Sequence, residues 1–378
     1  MLGRIVPGRI WESGPVRSVR RPLARSIGEA HARSIARRRE RAIIEDARSD
    51  AERVLAEHAD LLAGGLWRLT LGRKVKVGKP LITMQHPVEV FLVNESLDDP
   101  EVMSLARAGL GPKFEVWTDS STMMSPTSGD TTDADFCATM VLPRHSKKTL
   151  FFDLRRAKVL RYSEAPFTSE YERLRRVFSH HVPSVPFEVL PGRHRLVESL
   201  APGAPLCDID AADRLRVVAV LLDHLAELAD VAGEGDSSER LTSAVDVLDQ
   251  GSRVHERHEA LTAWLGGSRL VPSHGDLHCV NVLVSQDGPV CIDFGSISLR
   301  PAWFDGVQLV NRAAYGWGRH SDVCDPVELD GLLHSFLRRT VPAPPPEDWR
   351  RLVDLAAELI AGSEAAPPSG RVEMQGSA

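Results

Sequence analysis

Alternation of apolar and polar side chains dominates residues 123–200 and is typical of short β-strands. The pattern predicts strands over Phe136–Leu142, Thr149–Leu154 and Lys158–Ser163, with the last two joined by a tight turn. A helix is predicted from about residue 168 to residue 178. The segment Arg195-Leu-Val-Glu-Ser-Leu200 is predicted to be a buried strand, which Pro202-Gly203 brings to an end.

Helical periodicity replaces this alternation after residue 200. Residues 211–232 and 238–262 form amphipathic patterns, and 303–362 is helical around a Pro-rich interruption. The last dozen residues are rich in Pro, Gly and Ser and are predicted to be disordered. These shifts divide the chain into five segments: 1–65, 66–122, 123–200, 201–365 and 366–378.

The first two segments carry no chemical motif. Residues 25–62 are Arg-rich helix formers, so 1–65 is predicted to be a basic, mainly helical N-terminal extension. An exposed, salt-bridged helix explains this composition, although a partner-binding arm or a membrane-surface helix would share it. Residues 66–122 alternate enough to suggest strands and are left as an unassigned accessory region.

Composition places the chain among ordinary globular proteins, with 378 residues, 43% of them hydrophobic. No apolar run has the length of a transmembrane helix, and the Arg-rich start lacks the apolar stretch of a secretory signal. An organelle transit peptide is a weaker alternative for that start. The five cysteines lack CxxC spacing and predict reduced thiols, which favours a cytoplasmic protein without a disulfide framework or zinc cluster.

The net charge of −6 is unevenly distributed. From residue 201 onward there are 14 Arg, no Lys and 27 acidic residues, a balance of −13, whereas the first 200 residues carry +7. An acidic C-terminal half argues against a nucleic-acid partner and favours a cationic small molecule. Solvated helix faces would account for the same acids without any ligand.

The segment from Val271 to Phe294 holds the candidate chemistry. Asp287-Gly288 stands between two apolar runs, a strong hairpin signal if the pair forms a type I′ turn. That turn would place Val282 opposite Asp293 and Asn281 opposite Phe294, so that Asn281 and Asp293 share the open end of the hairpin. An amide oxygen beside a carboxylate suits Mg²⁺ that carries nucleotide phosphates.

The loop before this hairpin contributes a third oxygen donor. Asp276 could accept a hydroxyl proton and orient that hydroxyl for attack on a γ-phosphate, while Gly275 lets the loop turn and His274 could hold it by side-chain hydrogen bonds. An isolated Asn/Asp pair is more often structural, and His274 with His278 could also be interpreted as zinc ligands. The missing general-base Glu and the loop-forming Gly275 speak against zinc.

His274-Gly-Asp-Leu-His278, followed by Asn281 and by Ile292-Asp293-Phe294, resembles the signature of the aminoglycoside phosphotransferase and choline kinase group, relatives of the protein kinases. The resemblance implies a two-lobed α+β fold, with a small sheet-containing lobe at 123–200 and a larger helical lobe at 201–365. It implies that Asp276 is the catalytic base, that Asn281 and Asp293 bind Mg²⁺, and that ATP is the phosphate donor.

Further positions follow from the same resemblance. Arg161 corresponds to the phosphate-contacting cation, with Lys158 on the opposite face of the strand as the competing candidate. Glu170, or Glu172 as a fallback, corresponds to the helix acid that pairs with that cation. The resemblance also implies that the linker around Glu198 and Leu200 contacts adenine and that Gly129 lies in the phosphate-covering loop. It implies that Asp305 is a structural anchor and that His274 belongs to the nucleotide site.

The sequence therefore predicts an ATP- and Mg²⁺-dependent kinase that phosphorylates a hydroxyl group of a small molecule. No Walker A motif supports a P-loop kinase, and the short HGD-type loop disfavours a protein-directed kinase. The alternative is a catalytically inactive nucleotide-binding module that acts on a partner or membrane through its basic N-terminal helix.

Overall fold

The computed structural model describes residues 42, 48, 50–73, 88–94, 116–124, 136–145, 148–232, 258–314 and 322–365. Within these ranges the chain forms a sheet-containing lobe followed by a mainly helical lobe, as the sequence predicted. The helix predicted over 25–62 is described at residues 42, 48 and 50–57, here α1, and the one predicted over 238–262 from His258 onward. Residues 58–62 follow α1 as a turn and a short 3-10 helix, Ala59–Leu61, and the rest of both predicted helices lies outside the described ranges, as does the predicted disordered tail.

One antiparallel sheet of eight strands organises the first lobe, in the order β3-β1-β2-β4-β5-β6-β8-β7. The strands are β1 Trp67–Arg73, β2 Val88–Asn94, β3 Val116–Met124, β4 Met140–His145, β5 Lys148–Asp153, β6 Lys158–Ser163, β7 Phe187–Val189 and β8 Arg195–Ser199. The pairing of Leu92 with Val141 joins β2 to β4. The accessory region at 66–122 thus extends the sheet of the predicted lobe rather than forming a sheet of its own.

The two faces of this sheet bury different sets of side chains. One face packs against α1 through Val54, Leu55, Trp67, Phe151 and Leu160. The other face buries the cluster Val93, Met140, Leu142, Phe152, Leu154 and Val159. Because side chains alternate along a strand, Arg161 lies on the same face as Val159.

Helix α2, Ser169–His181, follows β6. It begins where the Thr168 side chain accepts a hydrogen bond from the backbone N–H of Tyr171 at 3.0 Å, an N-cap that the Thr at this position favours. After α2, the short strand β7 pairs with β8, which lies beside β6. Arg161 on β6 and Glu198 on β8 are therefore diagonal neighbours within the sheet.

The second lobe contains α3 Ala211–Ala232, α4 His258–Leu265, α5 Phe304–Ala313, α6 Pro326–Thr340 and α7 Trp349–Ala365. Its strands are β9 Ala204–Pro205, β10 Leu270–Ser273, β11 Val282–Ser285, β12 Gly288–Cys291 and β13 Ser298–Pro301. Strand β9, just after the linker, pairs with β11, and β10 pairs with β13. One large apolar core joins the helices to the β11–β12 hairpin.

A second connection between the lobes lies at the end of α2. The backbone N–H of Cys291 on β12 donates to the carbonyl of Pro183 at 2.9 Å, and the N–H of Val185 donates to the carbonyl of Cys291 at 3.3 Å. Ser184 and Cys291 thus form a parallel β-bridge. The hairpin that leads to Asp293 is attached to the segment that follows α2.

Candidate active site

The loop between β10 and β11 is anchored by a buried carboxylate at the start of α5. Asp305 accepts hydrogen bonds from the backbone N–H of His274 at 2.7 Å and of Gly275 at 3.1 Å, which supports the predicted role of Asp305 as a structural anchor. The imidazole of His274 is fully buried, and its Nε2 donates to the carbonyl of Ile292 at 2.8 Å. His274 therefore holds the loop against the hairpin, and its buried ring has no access to a nucleotide.

Gly275 occupies a position that a larger residue would not fit. Its φ is +81°, and a Cβ atom there would lie 2.3 Å from the carbonyl oxygen of Ser296 and 2.0 Å from Nη1 of Arg300. Glycine adopts this left-handed conformation at no steric cost. The loop can consequently pass close to residues 296–300 and present the next residue, Asp276.

The Asp276 carboxylate is half exposed and contacts two other residues of the motif. His278 lies with its Nε2 3.3 Å from Oδ1 of Asp276, and its Nδ1 accepts a hydrogen bond from the backbone N–H of Val280. Since Nδ1 accepts, Nε2 carries the ring proton and donates toward Asp276. The hydrogen bond from His278, opposed by partial burial, lowers the pKa of Asp276, so this carboxyl group is ionised at neutral pH.

Asn281 is oriented by the same aspartate. Its Nδ2 donates to the backbone carbonyl of Asp276 at 2.9 Å, and the same atom lies 3.4 Å from Oδ2 of Asp276. Because the amide donates through nitrogen, its carbonyl oxygen Oδ1 is the atom that could ligate a cation. The structure thus brings the predicted base and one predicted metal ligand into direct contact.

The predicted register of the β11–β12 hairpin is wrong by two residues. Val282 pairs with Cys291 and Ser285 with Gly288, so Gln286 and Asp287 form the turn. A type I′ turn needs positive φ at both central residues, but here only Gly288, at +109°, has positive φ in the turn region. Asn281 lies opposite Ile292, whose N–H donates to the Asn281 carbonyl at 2.9 Å. Asp293 follows directly, so the open end still holds both predicted metal ligands.

Asp293 has a left-handed backbone conformation, with φ of +65°. A non-glycine residue in this region is uncommon and is retained where surrounding contacts determine it. Its carbonyl accepts a hydrogen bond from the N–H of Gly295 at 2.8 Å, and its Oδ1 lies 2.6 Å from Nη1 of Arg161. The conformation directs the carboxylate toward the sheet-containing lobe.

Arg161 joins the two lobes electrostatically. Its Nη1 binds Asp293, while its Nε donates to the Glu198 carboxylate in a short contact. Burial alone would lower the pKa of Arg161, but the carboxylates of Glu198 and Asp293 raise it above its ordinary value. Arg161 therefore remains charged, and it rather than Lys158 contacts the predicted metal carboxylate.

The predicted pairing of Arg161 with Glu170 is corrected by the structure. Glu170 is exposed in the first turn of α2 and pairs with Arg173 at 2.8 Å, and the fallback Glu172 pairs with Arg176 at 2.7 Å. The spacing of residues on α2 places both acids away from the buried face of the helix. The partner of Arg161 is Glu198, on the neighbouring strand β8.

The linker is also arranged differently from the prediction. Glu198 lies within β8, paired with Val159 on one side and Phe187 on the other, and its side chain is buried between arginines. The Leu200 N–H donates to the carbonyl of Ala157 at 2.7 Å, so this donor is already used. The backbone N–H of Leu200 is therefore not free to donate to a nucleotide, and the adenine contact of the linker stays a prediction. Gly129, predicted in the phosphate-covering loop, lies outside the described residues.

Sequence reasoning missed Arg175 and the side chain of Glu198. Arg175 is fully buried on α2, and its Nη2 donates to Oε1 of Glu198 at 2.6 Å. The available signal was the position of Arg175 between Leu174 and Phe178, on the face of α2 that the structure buries. A buried arginine requires a buried acid nearby, but the sequence does not indicate which strand supplies it.

Several acids of the second lobe have structural partners. Asp305 anchors the catalytic loop, Asp322 binds Arg214 at 2.9 Å, Asp325 caps α6 and Asp330 binds Arg350 at 3.2 Å. Glu328, in the first turn of α6, is exposed, as are Asp322 and Asp325. Four of the 27 acids in this half thus act as hydrogen-bond anchors, caps or ion-pair partners, which weakens the charge argument for a cationic acceptor.

Residues 195–352, from β8 into α7, match the model of the phosphotransferase enzyme family. The resemblance inferred from the motif is confirmed over this segment. The matched segment contains the His274–His278 motif, the hairpin and Asp305, and Arg161 lies before it. A comparison with curated proteins found no match.

Solved structures of small-molecule kinases are similar to this chain at a low level. The aminoglycoside phosphotransferase APH(3'')-Id from Streptomyces rimosus is 17% identical with a TM-score of 0.38, and the alignment covers 57% of this chain and 90% of that one. The choline kinase LicA from Streptococcus pneumoniae is 14% identical with a TM-score of 0.37, covering 60% and 85%. Amicoumacin kinase hAmiN, solved with AMP-PNP, Ca²⁺ and Ami, is 12% identical with a TM-score of 0.36, covering 58% and 87%.

Proposed function

We propose that this protein is a phosphotransferase that moves the γ-phosphate of ATP to a hydroxyl group of a small molecule. The observation that carries the proposal is the meeting of the motif side chains where the lobes join. Asp276 contacts Asn281 on the catalytic loop, and Asp293 contacts Arg161 across the cleft. Ligands commonly bind at such interfaces between lobes.

The residues present suit a Mg²⁺-bound nucleotide. Asn281 Oδ1 and the Asp293 carboxylate are hard oxygen donors at one end of a hairpin, and they would hold Mg²⁺, which would neutralise charge on the nucleotide phosphates. The guanidinium of Arg161 has donors beyond those bound to Glu198 and Asp293, and these can contact phosphate oxygens.

Asp276 is proposed as the catalytic base. Its lowered pKa keeps it ionised, and its half-exposed carboxylate can accept a hydrogen bond from the acceptor hydroxyl. As the bond between the γ-phosphorus and the hydroxyl oxygen forms, the bond to the β-phosphate oxygen breaks, and the hydroxyl proton passes to Asp276. His278 fixes the carboxylate orientation for this transfer.

The test is Mg²⁺-dependent thermal stabilisation by ATP and by GTP, followed by phosphate transfer to a panel of hydroxylated small molecules. Wild type should be stabilised by ATP only with Mg²⁺, and Asp293→Ala should lose that shift. Asp276→Asn should bind the nucleotide but lose about 10²–10⁴-fold in turnover, whereas Asp287→Asn, at the closed end of the same hairpin, should behave as wild type.

Two results would count against the proposal. Near-wild-type turnover in Asp276→Asn would remove the assigned base. Nucleotide binding without transfer to any acceptor would instead favour the inactive nucleotide-binding module.

A further inference from the structure

Helix α2 buries a cation, Arg175, where the family resemblance implies an acid. Its buried residues are Leu174, Arg175 and Phe178, while the acids of its first turn pair with surface arginines. The acid that faces Arg161 comes instead from β8. The acid that pairs with Arg161 thus lies on a strand, and the helix contributes a second cation.

One carboxylate holds two arginines at once. Oε2 of Glu198 accepts from Nε of Arg161, and Oε1 accepts from Nη2 of Arg175 at 2.6 Å. All three side chains are largely buried. Burial by itself would raise the pKa of Glu198, but Arg161 and Arg175 lower it, so the carboxylate stays ionised between them.

Arg175 also contacts the residue next to Asp293. Its guanidinium lies 4.1 Å from the ring centroid of Phe187 and 4.5 Å from that of Phe294, a cation–π arrangement with both rings. Asp293 is therefore reached by two routes from Glu198. One route passes through Arg161 to the Asp293 side chain, and the other passes through Arg175 to the ring of Phe294.

We propose that Glu198 and Arg175 are positioning residues that together fix Arg161 and the Asp293 loop for nucleotide binding. Because Glu198 belongs to the strand beside β6, the guanidinium of Arg161 is oriented from within the sheet. Helix α2 acts on the Asp293 loop, through the contact of Arg175 with the ring of Phe294. The nucleotide part of this inference rests on the proposed function, but the fixing of the Asp293 loop does not.

Glu198→Gln and Glu170→Gln form a matched pair. They make the same chemical change at the observed partner of Arg161 and at the partner that the sequence predicted. Two measurements are made on each: the Kd for Mg·ATP, and hydrogen exchange at Gly295, whose N–H donates to Asp293. Glu198→Gln should weaken Mg·ATP binding by about tenfold or more, since a hydrogen bond between charged groups is lost. It should also speed exchange at Gly295 without nucleotide, and Glu170→Gln should change neither.

Glu198→Gln leaves two buried guanidiniums without their carboxylate and could therefore unfold the protein. A double variant keeps the inference testable in that case. Glu198→Gln/Arg175→Met removes one of these charges and keeps an apolar chain between Phe187 and Phe294. It should fold with near-wild-type thermal stability, bind Mg·ATP about tenfold more weakly and exchange faster at Gly295. Retention of both wild-type Kd and wild-type exchange in a folded double variant overturns the inference.

A merely structural role predicts a different pattern. Exchange would then rise across the whole chain with a falling Tm, and the Kd of the folded fraction would stay unchanged, which also overturns the inference. If wild type binds no Mg·ATP, the proposed function fails. The hydrogen-exchange rate at Gly295, compared between wild type and the Glu198 variants, then tests the positioning role without nucleotide.

Discussion

Arg161 makes two contacts that a lysine could not reproduce together. One planar guanidinium spans Glu198 through Nε and Asp293 through Nη1, the latter at 2.6 Å. An ammonium is a point charge and would retain one of them. A hydrogen bond between charged groups contributes about 1.5–3 kcal/mol, and the 37% exposure of the Asp293 side chain favours the lower end of that range.

We therefore expect Arg161→Lys to fold but to weaken Mg·ATP binding by about 1.5 kcal/mol, roughly tenfold in Kd. The reason is that nucleotide binding must then supply the ordering that the second contact provides in wild type. Isothermal titration of Mg·ATP into both proteins measures the difference. Arg173→Lys is the control, because its partner Glu170 is exposed and such surface pairs contribute about 0–1 kcal/mol. Wild-type affinity in Arg161→Lys would refute the reasoning, since it would show that a point charge is sufficient.

The remaining predictions concern stability. Gly275→Ala should destabilise the fold by about 2–4 kcal/mol, through the left-handed φ and the overlap with the Ser296 carbonyl, whereas Gly331→Ala, with open space in the helix α6, should stabilise it by about 0.5–1 kcal/mol. Urea unfolding compares them, and equal effects would contradict the packing argument. Burial, and then the positive charge of Arg195, lower the pKa of His58, so His58 is neutral in the folded protein. Its contribution to stability is full above a pH of about 6.5 and is lost as the pH falls below that value. His58→Gln should therefore lessen the fall in stability between about pH 7.5 and pH 5.5, and an unchanged slope would exclude His58 as a contributor.

The local features of the fold were predictable because each depends on residues close in sequence. The strand over Lys158–Ser163 was predicted with its observed bounds, and alternation alone placed Arg161 on one face of it. The HGD motif likewise indicated a loop before a hairpin, with Asn281 and Asp293 at its open end. Such short-range patterns are set by side-chain periodicity and turn chemistry.

The predicted register of the β11–β12 hairpin was wrong for an identifiable reason. Asp-Gly fits a type I′ turn, but it equally fits a turn in which only the glycine adopts positive φ, and these two choices shift the pairing. The sequence is the same in both cases, and the φ of Asp287 distinguishes them. Asn281 and Asp293 still share the open end of the hairpin, because Asp293 comes immediately after the residue opposite Asn281.

The error at Glu170 has another origin. The choice of an acid on α2 assumed that the partner of Arg161 must come from the helix, whereas Glu198 and Arg161 are 37 residues apart and meet only through the pairing of β6 with β8. Long-range pairing of this kind is set by sheet topology. The same holds for the accessory strands, whose place at the edge of the sheet depends on the contact between β2 and β4.

The bridge between Ser184 and Cys291 has a consequence for how the cleft could open. The backbones of the lobes are joined by the covalent linker after β8 and by this pairing, with Phe178 of α2 packed in the core of the second lobe, and the two backbone connections define an axis. In a rigid rotation about that axis, displacement grows with distance from it. Asp293, two residues from the bridge, would move little, while the β3 edge of the sheet, at the opposite end of the strand order from β7, would travel furthest. Nucleotide could thus enter and leave while Arg161 and Asp293 stay near their paired positions.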